Sequence, residues 1–194
     1  MFDNTDYYSA AAGAAGFLLS EMKTEEGGLL HTYRSGKKGT TGMIDDYAFL
    51  IRGLLELYRA GYNPSYLKKA AALTDYAARH FLDEQNGGFF FSTAGRDDLL
   101  VRKKVLIDNA VPSGNSVMAE NGTLLFRLTG EEKYREISEG IIETAMDDLT
   151  GYPQAFAMLL SSLYSITEEP RELVIVGEGE AAREMAEAEG KKLR

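Results

Sequence analysis

Gly27-Gly28-Leu29-Leu30-His31-Thr32-Tyr33 and Gly87-Gly88-Phe89-Phe90-Phe91-Ser92-Thr93 are two versions of one phrase, a glycine pair followed by a short strand-like run. Each leads through a polar loop into a helical segment. The segment holding Gly53-Leu54-Leu55-Glu56-Leu57 corresponds to the one holding Gly122-Thr123-Leu124-Leu125-Phe126, so the chain repeats with a period of about 60 to 70 residues. Each unit reads as an outer helix, a Gly-Gly turn, a short strand, a polar loop and a buried inner helix. Units of this kind cannot cover their apolar faces alone and gain stability by stacking side by side.

Working outward, Asp6 to Lys23 carries small and apolar residues on more than one face, with Tyr7, Tyr8, Phe17, Leu18 and Leu19 as its bulky members. That composition predicts a buried helix. The segment from Asp45 to Gly61 has aspartates where helix N–H groups lack partners and a glycine where a left-handed residue ends the last turn. Its apolar residues surround the axis, as in a helix walled in by neighbours. Asn63-Pro64-Ser65 starts a third helix reaching about Leu82, and Pro112-Ser113-Gly114-Asn115-Ser116 leads into a fourth that stops at Thr129-Gly130. A fifth runs from Glu131 to about Leu149. Tyr152-Pro153 opens a sixth, Gln154 to Ile166, again apolar all round.

Alternating exposed and buried helices make an all-α, two-layered curved wall of antiparallel helical hairpins, with short β segments in its loops. Closed, such a wall is a toroid; about three hairpins, over residues 1–170, describe an arc of one. Beyond Pro170, Glu172-Leu173-Val174-Ile175-Val176-Gly177 reads as a strand and Ala181 to Glu189 as a helix, so 171–194 is expected to be a truncated strand-helix appendage.

Composition narrows the function. The chain has 194 residues, 44% hydrophobic and 26% charged, which fits one ordinary globular domain. No run approaches the roughly 20 apolar residues of a membrane span, and the first residues lack the basic start of a secretory signal, so a cytoplasmic location is expected. With no cysteine, thiolate metal sites and thiol chemistry are excluded within this sequence. His31 and His80 are its only imidazoles, so no metal site is expected. A formal charge of −9 without basic runs argues against nucleic acid and anionic membranes. Gly177-Glu178-Gly179 lacks the third glycine of a dinucleotide loop, and no cofactor is expected.

Two constellations carry chemistry. Asp45-Asp46 opens an inner helix beside the run containing His31 and Tyr33; a carboxylate there can act as acid, base or acceptor for substrate hydroxyls. Helix capping accounts for at least one of the pair. Asp108-Asn109-Ala110-Val111-Pro112-Ser113-Gly114-Asn115-Ser116 sets an acid, two amides and two hydroxyls on the turn entering another inner helix, where exposed N–H groups can hold an anion or a hydroxyl oxygen. The candidate catalytic residues are Asp45, Asp46 and Asp108. Candidate substrate-binding residues are His31, Tyr33, Tyr47, Asn109, Ser113, Asn115 and Arg102; Arg102, with Lys103 and Lys104, can answer an anionic ligand or simply be solvated. Phe89-Phe90-Phe91 offers either a sugar-stacking face or core. His80 suits the C-terminal end of its helix.

The series GGLLHTYRSGK, DDYAFLIRGLLELYRAG, YLKKAAALTDYAARHFLDEQNGGFFFSTA, LLVRKK, DNAVPSGNSVMAENGTLLFRLTG and ELVIVG, from Gly27 to Gly177, resembles the carboxyl-terminal part of the YyaL-type family, which includes the spermatogenesis-associated thioredoxin-like proteins. In that family a thioredoxin-like domain precedes a six-hairpin toroid similar to those of glycoside hydrolases and N-acylglucosamine 2-epimerases. The resemblance implies about half of an (α/α)6 toroid, cut from a larger protein whose missing N-terminal half would be its partner. Any reaction is then expected to be carbohydrate-directed and to need the rest of the ring, an analogy of fold only. The two-histidine chemistry of the epimerases is not matched, because His31 alone lies near the mouth. Glycosidase chemistry needs a carboxyl pair, for which Asp45 or Asp46 with Asp108 is the candidate. Three readings follow: a pocket for a sugar or sugar derivative, a non-catalytic scaffold binding a protein or peptide on its concave face, and self-association that covers the open edge.

Overall fold

The computed structural model describes residues 5–94, 101–168, 175–177 and 179–192. Six helices form the wall: α1 (Thr5–Glu21), α2 (Ile44–Gly61), α3 (Pro64–Phe81), α4 (Gly114–Thr129), α5 (Glu132–Gly151) and α6 (Ala157–Thr167), and α7 (Glu180–Lys192) follows. A 3-10 turn, Pro153–Ala155, precedes α6. The helices α2, α4 and α6 lie side by side as the inner layer, with α3 and α5 packed behind α2 and α4. Ala48, Ile51, Leu54 and Leu55 of α2 and Val117, Met118, Ala119 and Leu125 of α4 are fully enclosed, so these two helices hold the centre of the core. Each such Leu or Ile stabilises by roughly 1.5–3 kcal/mol through removal of apolar surface from water.

The helix ends follow local chemistry. The Asn63 side chain accepts from the Ser65 amide at 3.0 Å and Pro64 takes the first position of α3, where a missing N–H costs nothing. At the end of α2 the left-handed residue is Tyr62, with φ 51°, rather than Gly61 as the sequence pattern predicts. Gly61 is small for another reason: a Cβ there would lie 2.6 Å from the Tyr8 hydroxyl.

The internal repeat is visible bond by bond. In the first unit the Thr24 amide donates to Gly28 O, Leu30 to Met22 O and His31 to Thr40 O; in the second, Asp83 donates to Gly88 O, Phe90 to Phe81 O and Phe91 to Lys103 O. The strand-like runs are thereby pinned at isolated bridges on both sides, Leu29 opposite Lys23 and Leu30 opposite Thr41 in the first, Phe89 opposite Leu82 and Phe90 opposite Lys104 in the second. Among the described residues, true strands are limited to β1 (Tyr33–Arg34) and β2 (Lys37–Lys38), an antiparallel pair with Tyr33 opposite Lys38. The two strand-like runs after the glycine pairs shrink because each has a helix end on one side and a loop on the other, neither of which offers a ladder.

Each ribbon is also anchored to the inner helix that follows it. The Tyr47 hydroxyl of α2 accepts the Leu29 amide at 2.7 Å. In the second unit Asn115 of α4 accepts the Phe89 amide at 2.7 Å and donates to Phe89 O at 3.0 Å and Val105 O at 2.9 Å. Tyr47 stacks parallel on Tyr76 at 5.5 Å and tilts against Phe81, which fixes its ring from the outer layer.

Two helices depart from expectation. The predicted buried helix α1 buries only Ala15, and α6, predicted to be enclosed all round, buries Leu159 and Ser162 while Tyr164 is 63% exposed. Their apolar character is as the sequence indicates; the remaining faces have no neighbour among the described residues. In the tail, 171–174 lie outside the described residues and 175–177 have no regular structure, whereas the predicted helix is present as α7. Of the charged stretch from Arg96 to Lys104, residues 96–100 lie outside the described residues.

The Asn115 side chain joins three backbone groups in a buried position, so Asn115→Ala should lower unfolding stability by about 3 kcal/mol, read as a smaller urea midpoint. At Gly122 a Cβ would collide with Ser138 Oγ and lie 2.7 Å from Tyr134 O, at the contact where Ser138 bridges α5 to Ala119 O of α4. Gly122→Ala should therefore cost about 1–3 kcal/mol despite alanine's better helix propensity, measured the same way.

Candidate functional site

The start of α2 is tied to both ribbons: the Gly42 amide donates to Leu29 O at 2.7 Å and the Ile44 amide to Phe91 O at 3.1 Å. This holds Asp45 and Asp46 at the entrance. Asp46 Oδ2 accepts the Met43 amide at 2.7 Å, which makes it the capping member of the pair. The same oxygen meets His31 Nδ1 at 2.8 Å, a half-exposed pair that fixes the imidazole by its Nδ1. His31 is exposed and Leu30 buried, as strand alternation requires, although Thr32 is exposed as well.

Asp45 has a different environment. Its Oδ1 is buried against the first residue of α4 without a well-formed hydrogen bond. A Cβ on Gly114 would collide with this oxygen, so only glycine lets the start of α4 approach so closely. Burial pushes the Asp45 carboxyl above the ordinary carboxylate range, the neighbouring Asp46 charge adds to the rise, and the Gly114 amide and His31 partly offset it.

At the entrance of α4 the polar residues are turned inward. Asp108 Oδ1 accepts the Ser113 amide at 2.9 Å and its Oδ2 accepts the Met158 amide at 2.8 Å, so one carboxylate clamps the starts of α4 and α6 at the same level. Ser113 caps α4 by accepting the Ser116 amide at 3.1 Å, and its hydroxyl lies 3.1 Å from Leu106 O. Asn115 is occupied as described above. The Tyr47 hydroxyl is buried, which raises its pKa. Arg102 donates from Nε to Ser92 O at 3.0 Å and from Nη2 to His80 O at 3.2 Å, with its guanidinium 4.0 Å from the Phe90 ring centre. Lys104 pairs with Asp83 at 2.8 Å and Lys103 lies over Phe91. The faces of Phe90 and Phe91 thus carry cations, and Phe89 is core. Asn109 is exposed, and Tyr33 is half-buried edge-on to Phe17. His80, in the last turn of α3, stacks on Tyr76 at 4.1 Å.

A groove of about 460 Å³ runs between α1 and α2, walled by Ala11, Ala14, Leu18, Met22, Phe49 and Leu50 among others, with Asp45 and Asp46 at one end. Of the residues singled out from the sequence, these two line it. The inner layer also carries polar contacts outside both entrance motifs. Arg52, two turns below Asp45 on the same stripe, pairs with Glu120 of α4 at 2.5 Å, beside Asn121, whose Nδ2 donates to Ala48 O at 2.8 Å. Among the described residues no cluster of three or more His, Asp or Glu residues is arranged to hold a metal, and no helix is long and apolar enough to cross a membrane.

No family model matches the sequence. Spermatogenesis-associated protein 20 of Rattus norvegicus is 33% identical over 181 residues, which cover 88% of this chain and 23% of that protein. The Homo sapiens protein is 32% identical over the same coverage. The chain thus spans about a quarter of the length of these relatives. Among solved structures, a GH76 α-mannanase of Bacteroides thetaiotaomicron superposes with a TM-score of 0.65 at 16% identity, over 85% of this chain and 46% of that one. A GH76 mannosidase of the same organism gives 0.66 at 15% identity, over 85% and 49%. The cellobiose 2-epimerase of Spirochaeta thermophila gives 0.58 at 20% identity, over 74% and 38%. At these identities the structural likeness establishes the fold. Matched to long relatives by sequence and to about half of (α/α)6 rings by shape, this chain is similar in sequence to part of spermatogenesis-associated protein 20 and is built as about half of a six-hairpin toroid.

Proposed function

We propose that the entrance of α2 forms part of a saccharide pocket in which Asp45 exchanges a proton with the substrate and the Asp46–His31 pair hydrogen-bonds its hydroxyls. The observation that carries this reading is the Asp45 carboxyl, held at a groove end with one oxygen buried against Gly114 and a raised pKa. A carboxyl that keeps its proton above the usual range can donate it to a glycosidic or ring oxygen. Asp46 suits the second role because a backbone amide and an imidazole both bind its Oδ2. Asp108 enters as the pillar that sets the starts of α4 and α6, since both its oxygens are taken by amides. The names of the solved neighbours, a mannanase, a mannosidase and a cellobiose epimerase, support a carbohydrate ligand by analogy of fold. A second reading, a scaffold that binds a helix, draws support from the apolar walls of the groove below the carboxylates.

Titrating the protein with mannobiose and cellobiose by calorimetry should give binding that Asp45→Asn or Asp46→Asn weakens by about tenfold or more. No heat with any saccharide, or equal affinity in the variants, would overturn the reading. Asp45 also links function to stability. Its carboxyl holds a proton more tightly in the fold than in the unfolded chain, so ionisation costs stability as pH rises from the ordinary carboxylate range through the raised value. Asp45→Asn removes that cost and should melt higher than the wild type at pH 7, with the advantage shrinking towards pH 4. Thermal scans at the two pH values check this, and a lower melting point for the variant at pH 7 would count against it.

A further inference from the structure

The fold does not require the His31–Asp46 pair. In the second unit Phe91 stands where His31 stands in the first, and its amide donates to Lys103 O as the His31 amide donates to Thr40 O, both at 2.8 Å. The ribbon is therefore held equally well with no imidazole in that place. What Asp46 adds is control of the ring. Its Oδ2 already accepts the Met43 amide at 2.7 Å, so it meets His31 Nδ1 at 2.8 Å as an acceptor and draws the proton of the neutral imidazole to Nδ1. The Nε2 lone pair is left on the ring edge away from Asp46, with no hydrogen-bond partner among the described residues, on a side chain that is 49% exposed.

Asp45, next in sequence to Asp46, supplies the opposite character. Its Oδ1 lies against Gly114, so a proton on this carboxyl is carried by Oδ2, and the side chain lines the groove end. His31 is near enough to act on the Asp45 carboxyl through space. A proton acceptor and a proton donor thus flank one entrance. The Asp46 carboxylate, bonded to the imidazole, is placed to stabilise the imidazolium that forms when Nε2 takes a proton.

Resting on the saccharide reading above, we propose that this entrance opens the ring of a reducing sugar and so interconverts its anomers, with His31 as base, Asp45 as acid and Asp46 as the positioning residue. In the opening step Nε2 takes the proton of the anomeric hydroxyl while Asp45 gives its proton to the ring oxygen. The bond between the anomeric carbon and the ring oxygen breaks, its electron pair stays on that oxygen, and the anomeric C–O bond becomes a carbonyl. The aldehyde turns about the adjoining carbon–carbon bond and closes on its other face by the reverse transfers, which restore neutral His31 and protonated Asp45. Nothing is oxidised or reduced, and no co-reactant is consumed. The reaction fits the pair because a hemiacetal loses a proton at one oxygen and gains one at another in the same step, which one base and one acid can serve. The substrate class is therefore sugars with a free anomeric hydroxyl.

Polarimetry on freshly dissolved mannobiose and cellobiose should show the protein speeding anomer exchange at the reducing end, and His31→Gln or Asp45→Asn should lower that acceleration by about a hundredfold with helical circular dichroism unchanged. His80→Gln should keep the acceleration, and it leaves His31 as the sole imidazole. Nitrogen NMR spectra of that labelled protein at about pH 9, above the ordinary imidazole range, then read the tautomer. The proton should sit on Nδ1, and it should move to Nε2 when Asp46→Ala is added, a change that a purely structural role for Asp46 would not produce. Sugar binding in the calorimeter without faster exchange, acceleration that persists in His31→Gln, or a tautomer indifferent to Asp46→Ala would each overturn this inference while the saccharide reading stands. No binding of either sugar would overturn both.

Discussion

The arrangement of this molecule depends on one kind of bond, the anchor between each Gly-Gly ribbon and the inner helix after it. Tyr47 holds Leu29 and Asn115 holds Phe89, so two unrelated side chains satisfy the same buried amide in successive units. An unsatisfied amide in either position would cost more than the bond itself contributes. The anchor therefore sets where each inner helix starts, and with it where the polar entrance residues stand.

From that constraint the division of labour among the carboxylates follows. The loop before α4 is longer than the loop before α2, and Asp108 is needed to hold it: its two oxygens bind amides at the starts of α4 and α6. The loop before α2 is short, closed by backbone bonds from Gly42 and Ile44, and needs only Asp46 as a cap. Asp45 is left over. It is pressed against Gly114 with its charge poorly compensated, which is how groups with shifted pKa values arise at functional sites.

The same repeat logic explains the two exposed apolar helices. Interior units can share apolar surface on both sides, whereas among the described residues α1 and α6 each have a neighbour on one side and keep faces that the interior helices bury. Leu18, Met22 and Phe49 line a groove for this reason, and the Asp45–Asp46 end of that groove shares its open side.

The sequence alone determined the repeat, the helix boundaries to within a few residues, the Gly-Gly turns and the resemblance that named the ring, because all of these rest on local periodicity and turn chemistry. It also marked both entrances as polar. Tertiary structure alone decided which polar residues are spent: nothing in PSGNS says that Asn115 faces three backbone groups while Asp45, seventy residues earlier, lies against Gly114. Hydrogen-bond capacity is assigned by neighbours distant in sequence, and the burial of an apolar helix by whether a partner lies beside it. Neither quantity is written in the segment that carries the residue.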